Sequence, residues 1–165
     1  MKTDQLETPL QVNIMTKPKA FVSLMKLRLS SLVVLSAFFG FLMAKGDLNS
    51  LSMYSLLFGG LLITGSSNGF NQILEIKTDT LMSRTKSRPL PVQIISKIEA
   101  IIFCTIIGAL GLFLLYTINY KSMLLGLFSM IVYVLIYTPL KQKSAIAVFV
   151  GAIPGSIPPL LGYVA

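Results

Sequence analysis

Apolar residues in this chain come in long unbroken runs, not at alternate positions or on one helical stripe. Charge-free stretches cover 29–44, 48–74, 100–120, 122–140 and 144–165. A helix needs roughly 20 apolar residues to cross a bilayer core, and a backbone in lipid must satisfy its own hydrogen bonds. The pattern predicts five transmembrane helices at 27–44, 48–74, 100–120, 122–140 and 144–165. Leu27 lengthens the short first run, and Arg28 and Lys45 can snorkel from its ends. The expected fold class is all-α, a polytopic membrane helical bundle preceded by an N-terminal segment at 1–26. Connections after the first and third spans are a few residues long, which predicts antiparallel helical hairpins. The 75–97 connection is longer than a hairpin needs, and its charge and proline content mark a functional loop.

Composition adds orientation. At 54% hydrophobic and 12% charged residues, with a mean hydropathy of +0.78, the chain is no ordinary soluble domain. A net charge of +8 would suit nucleic acid, but the basic residues fall in the gaps between apolar runs. That distribution is expected of membrane topology, and no nucleic-acid partner is expected. Lys and Arg number five from the N-terminus through Arg28, five in the second loop and two in the fourth, against one each in the first and third. The N-terminus and the 75–97 loop are therefore expected in the cytoplasm. Asp4 and Glu7, with no apolar run directly after Met1, argue against a cleaved signal peptide. The single Cys104 and the absence of His leave only oxygen ligands for a metal, which favours magnesium or calcium over zinc.

Chemistry gathers where the second run ends. Asn71, Glu75 and Asp79 recur every fourth residue, so on a continuous helix they form one stripe. Two carboxylates and an amide oxygen there can hold magnesium, with waters and phosphate oxygens completing the shell. Asn68 lies one turn earlier and can join them. Arg84, Lys86 and Arg88 follow at alternate positions, and an extended segment before Pro89 would turn all three the same way. Such cations suit phosphate oxygens. Acidic stripe and basic trio together predict a site for a metal-bound diphosphate, whose departure both would assist. Lys and Arg after a span also serve topology alone, and carboxylates at a helix end can be merely solvated. Ionisable groups at a membrane boundary are costly, which weighs against that plainer reading of the combined motif.

A second unusual stretch, YTPLKQKS followed by GAIPGSIPPLLGY, covers 137–163. Gly151, Pro154, Gly155, Pro158 and Pro159 are expected to kink or interrupt the last helix. Tyr137, Lys141, Lys143, Pro154 and Pro158 are candidate pocket-wall residues; tight packing on small-residue faces is the competing reading. Lys141 and Lys143 either mark the cytoplasmic end of the loop or face an anion. Phe38, Phe39, Phe103, Phe113 and Tyr133 are expected to pack or face lipid, and Cys104 to be an inert core residue.

NQILEIKTD with MSRTKSRPLP resembles the first aspartate-rich motif of the UbiA-type intramembrane prenyltransferases. Asn71, Glu75, Asp79, Arg84, Thr85, Arg88, Pro89 and Leu90 match that pattern. Met82 before Arg84, the Asn-Gln-x2-Glu spacing, and the 137–163 stretch are similar to the heme-farnesylating branch of the superfamily. The likeness runs from about Lys19 to the last residue. It implies farnesyl diphosphate and heme B (protoheme IX) as substrates, magnesium as cofactor, and heme O as product on the route to heme A and terminal oxidases. It also implies a bacterial inner membrane location, with heme A synthase or oxidase-assembly proteins as partners. By the same resemblance Asn71, Glu75 and Asp79 are catalytic and hold the metal, and Arg84, Lys86, Arg88 and Asn68 bind the diphosphate. Superfamily members have about nine helices and a second aspartate-rich motif, and outside the first motif this chain has only Asp4, Glu7, Asp47 and Glu99 as acids. The expectation is thus the N-terminal half of a nine-helix enzyme, carrying half a site and not expected to be active alone. A prenyltransferase for a quinone precursor is the rival within the class. A transporter or assembly subunit is the rival outside it, disfavoured by charge-free span centres.

Overall fold

The computed structural model describes residues 16–165, so the expectations for Lys2, Asp4 and Glu7 lie outside the described residues. The chain forms α1 (Lys17–Met25), α2 (Leu27–Met43), α3 (Leu51–Leu74), α4 (Ile76–Leu81), α5 (Lys97–Ile118), α6 (Tyr120–Ile131), a π-helical segment (Val132–Tyr137), α7 (Thr138–Leu140) and α8 (Ala147–Val164). No strand occurs among the described residues. Among the described residues four stretches are long and apolar enough to cross a membrane: Lys17–Met43, Lys97–Ile118, Tyr120–Leu140 and Ala147–Val164. The expected second span is the 24-residue α3, which is long enough but is not among these four. Its C-terminal third, from Gly65 to Gln72, is polar, and most of it is buried against protein.

α3 is the central helix. It packs most extensively on α5, while α2 packs on α8. Ala37, Phe41, Leu56, Ile63, Leu115, Ile157 and Leu161 form the core where these helices meet. Close approach depends on missing side chains. A Cβ at Gly162 would run into the Ala37 carbonyl, and one at Gly40 into the Pro159 carbonyl, so α2 and α8 meet backbone to backbone. A Cβ on Gly69 would strike Cys104 Sγ between α3 and α5.

Two local expectations are corrected. α8 is one α-helix from Ala147 to Val164 with Pro154, Pro158 and Pro159 inside it, and is not interrupted. Proline removes N–H donors, but its fixed φ is itself helical, and tight packing on α2 holds the backbone in place. The 84–88 segment is not extended. Lys86 N–H donates to Met82 O at 2.9 Å and Arg88 N–H to Thr85 O at 3.0 Å, so the chain turns back on itself. Arg84 and Lys86 are consequently exposed, while Arg88 is turned inward and half-buried.

The long connection is well packed. Leu90 and Ile95 are buried with Ala20, Leu24, Ile73, Ala100 and Cys104 in a second core. Ser96 starts α5 with a capping box, accepting from Glu99 N–H at 3.1 Å while Glu99 Oε2 accepts from Ser96 N–H at 2.7 Å.

Candidate active site

The Asn71–Glu75–Asp79 stripe survives a change of helix. α3 ends at Leu74, Glu75 (φ −96°, ψ 6°) is the junction, and α4 resumes at Ile76. Glu75 N–H still donates to Asn71 O at 3.0 Å, and Asp79 N–H to Glu75 O at 2.8 Å, so the spacing of four is preserved. All three side chains are buried, at 2%, 8% and 4% exposure, a depth at which a carboxylate requires compensation. The compensation is specific. Asn71 Nδ2 donates to Glu75 Oε2 at 2.8 Å. Lys141 Nζ sits 2.9 Å from Glu75 Oε1 and also donates to Asn71 Oδ1 at 2.8 Å. Thr138 Oγ1 donates to the same amide oxygen at 3.1 Å. Arg88 Nη1 meets Asp79 Oδ2 at 2.7 Å, and Thr85 Oγ1 ties the loop to Asp79 O at 3.0 Å.

Of the basic trio only Arg88 reaches the stripe; Arg84 and Lys86 point to solvent. Lys141 is the second cation. It lies 66 and 70 positions away from the two residues it touches, Glu75 and Asn71, delivered by the end of α7. Gln142 Nε2 adds a longer contact to Glu75 at 3.4 Å. Lys143 is exposed and lies in neither this cluster nor the cavity below it. Asn68 does not join the stripe through its amide nitrogen. Its Nδ2 donates to Ser30 Oγ at 3.1 Å and Met25 O at 3.3 Å, and Gln72 Nε2 donates to Leu24 O at 2.9 Å. Both amides thus satisfy carbonyls released where α1 gives way to α2.

Near the stripe, lined by Asn68 one turn before Asn71 but by none of the three stripe residues, lies a cavity of about 450 Å³. Asn68, Tyr133, Tyr137, Pro154 and Pro158 are among its lining residues, with aliphatic side chains of α2 and α8. Tyr137 links the two regions, because its ring carries Lys141 Nζ 5.5 Å from its centroid. Tyr133, expected to pack or face lipid, packs by stacking on Tyr137 at 5.4 Å and also lines the cavity. The widened π turn sets these two rings on one wall, as such turns often do at functional positions. No sequence periodicity signals it.

As a metal site the donor set is incomplete but apt. No cluster of three or more His, Cys, Asp or Glu side chains occurs among the described residues. Two carboxylates and an amide oxygen are hard donors, and magnesium is commonly held by one or two carboxylates plus phosphate oxygens. The residues therefore fit a metal that arrives with a phosphate-bearing ligand.

Membrane-length helices around a buried, cation-clamped acidic stripe, with an apolar cavity near it, define the class: an all-helical membrane protein. Comparison places that class within one family. The chain belongs to the UbiA prenyltransferase family, whose model matches residues 33–165; such prenyltransferases generally use a divalent metal. The chain is 43% identical over 145 residues to the protoheme IX farnesyltransferase of Christiangramia forsetii, covering 88% of this chain and 48% of that protein. It is 44% identical over 151 residues to the enzyme of the same name from Cytophaga hutchinsonii, covering 89% and 52%. A mitochondrial protoheme IX farnesyltransferase of Arabidopsis thaliana is 39% identical over 150 residues, covering 89% and 35%. The chain thus spans about half the length of the bacterial relatives it matches. No solved structure matches it.

Proposed function

We propose that this chain is the diphosphate-binding half of a heme O synthase, which moves the farnesyl group of farnesyl diphosphate onto a vinyl group of heme B. The observation that carries the reading is the buried Asn71–Glu75–Asp79 stripe, clamped by Lys141 and Arg88, with an apolar cavity lined by the neighbouring Asn68 and Tyr137. The cavity volume falls within the roughly 300–1,000 Å³ usual for small-molecule sites. Likeness to proteins named protoheme IX farnesyltransferase supports the choice of acceptor over a quinone precursor.

In this proposal Glu75, Asp79 and the Asn71 amide oxygen hold magnesium, and Lys141 and Arg88 turn from the carboxylates to the phosphates. When bound, the metal draws negative charge from the diphosphate and makes it a better leaving group. The C1–O bond of the allylic diphosphate breaks with its electron pair on the departing oxygen, which Lys141 and Arg88 stabilise. The apolar cavity keeps water from the farnesyl cation until the heme vinyl attacks C1. Water then captures the cation left on the former vinyl carbon and loses a proton, giving the hydroxyethylfarnesyl side chain. The 75–97 loop lies on the cytoplasmic face of a bacterial inner membrane in this reading, in line with the excess of Lys and Arg there.

The test is product formation. The full gene product, in membranes with heme B, farnesyl diphosphate and magnesium, is expected to yield heme O by mass spectrometry, and Glu75→Gln and Asp79→Asn to abolish it. A folded full-length protein that makes no heme O sinks the heme assignment.

A further inference from the structure

The break between α1 and α2 is a single residue, Lys26, in the left-handed region at φ 48°, ψ 56°. A non-glycine side chain there is uncommon and is held only where the surroundings enforce it. Among the described residues the other non-glycine positions with positive φ, Lys45 and Gln93, sit in exposed turns, whereas Lys26 is half-buried beside α3. Three buried polar side chains enforce the break. Gln72 donates to Leu24 O, while Asn68 and Ser30 donate to Met25 O, the latter at 2.7 Å. All three are nearly inaccessible, at 3%, 2% and 0% exposure. A continuous α1–α2 helix would need none of these bonds, so the arrangement sets the direction of the residue between.

The break sets Lys26 against the polar end of α3, because the two amides that bond the carbonyls just before it, Asn68 and Gln72, flank Asn71 in the same helix. The charged groups whose fields reach its ammonium are Glu75, Asp79, Arg88 and Lys141. Glu75 is taken by Lys141 and Asp79 by Arg88, while Lys26 makes no salt bridge among the described residues. Three cations thus face two carboxylates, and the cluster carries a surplus positive charge in a half-buried setting. Such a surplus fits an anion that brings more negative charge than its metal cancels.

We propose that Lys26 is a third phosphate-binding cation of the site, its ammonium donating to a diphosphate oxygen from the α1–α2 break. The proposal rests on the diphosphate-site reading above, though not on heme as the acceptor. It makes the polar tail of α3 bifunctional: Asn71 carries the acidic stripe, and Asn68 with Gln72 holds the break that aims the cation.

The test is binding of inorganic diphosphate with magnesium to the purified full-length protein, by calorimetry, alongside thermal stability and the KM values for both substrates. Lys26→Gly suits the left-handed backbone and removes the whole side chain, ammonium included. It should match or exceed wild-type stability yet bind diphosphate on the order of tenfold to a hundredfold more weakly, the span expected for one hydrogen bond to a charged group. KM for farnesyl diphosphate should rise with it while KM for heme B stays put, and Lys26→Arg should restore most of the binding. A Lys26→Gly protein that binds diphosphate within twofold of wild type overturns the proposal and leaves the heme O synthase reading intact. A wild type that binds diphosphate but makes no heme O overturns that reading instead, and Lys26 is then judged on the binding series. A wild type that binds no diphosphate overturns both.

Discussion

Replacing Arg88 by Met leaves Asp79 as a buried carboxylate without the cation that now sits 2.7 Å away. The Asp79 side chain is 6% exposed and that of Arg88 26%, so the pair is desolvated on the acid side and only partly on the other. Breaking a fully buried pair costs about 3–5 kcal/mol, because the remaining charge keeps its desolvation penalty. Partial access of water to Arg88 lowers the expectation to roughly 2–3 kcal/mol. For a chain of this size that corresponds to a Tm lower by roughly 5–10 °C. Asp79→Asn added to Arg88→Met removes the orphaned charge and should recover more than half of the loss. A non-additive double-mutant cycle of this kind is expected of two groups in direct contact. The assay is built into the chain. Cys104 is its single cysteine and is fully buried, so a fluorogenic maleimide in detergent reports the temperature at which the α3–α5 interface opens. An Arg88→Met protein that melts within about 1 °C of wild type would refute the argument. So would a double mutant no more stable than the single.

Two further outcomes follow from the packing. Gly69→Ala places a Cβ against Cys104 Sγ and should destabilise the α3–α5 contact by about 1–3 kcal/mol, with Cys104→Ala relieving most of it in thermal melts followed by circular dichroism. Ser96→Ala removes the capping-box acceptor at the start of α5 and should lower stability by about 1 kcal/mol, seen as a Tm drop of a few degrees.

Much of the architecture is legible because lipid leaves the backbone few choices. A charge-free run of sufficient length has to be a helix, and helices α2, α5, α6 with its π extension, and α8 lie where those runs lie. The acidic stripe is legible for a related reason: a spacing of four survives even the junction at Glu75, where the i to i+4 hydrogen bonds on either side persist. What the pattern of residues could not convey is direction. Alternation at Arg84, Lys86 and Arg88 would align the side chains only on an extended strand, and the backbone turns instead, leaving one of the three at the stripe. Prolines in α8 signal a break, but packing of Gly40 and Gly162 at the α2–α8 contact keeps one helix.

By itself, then, the sequence determined an all-helical membrane protein with an oxygen-only acidic motif at the end of its second apolar run, since hydrocarbon forbids other backbones and spacing along a helix is local. Only the tertiary structure decided which cations serve that motif. Lys141 reaches Glu75 from 66 positions away, and the break at Lys26 is held open by the amides of Asn68 and Gln72, 43 and 48 positions from the carbonyls they bond. Contacts of that kind depend on how helices pack, and a side chain's partner across a bundle leaves no mark on its neighbours in sequence.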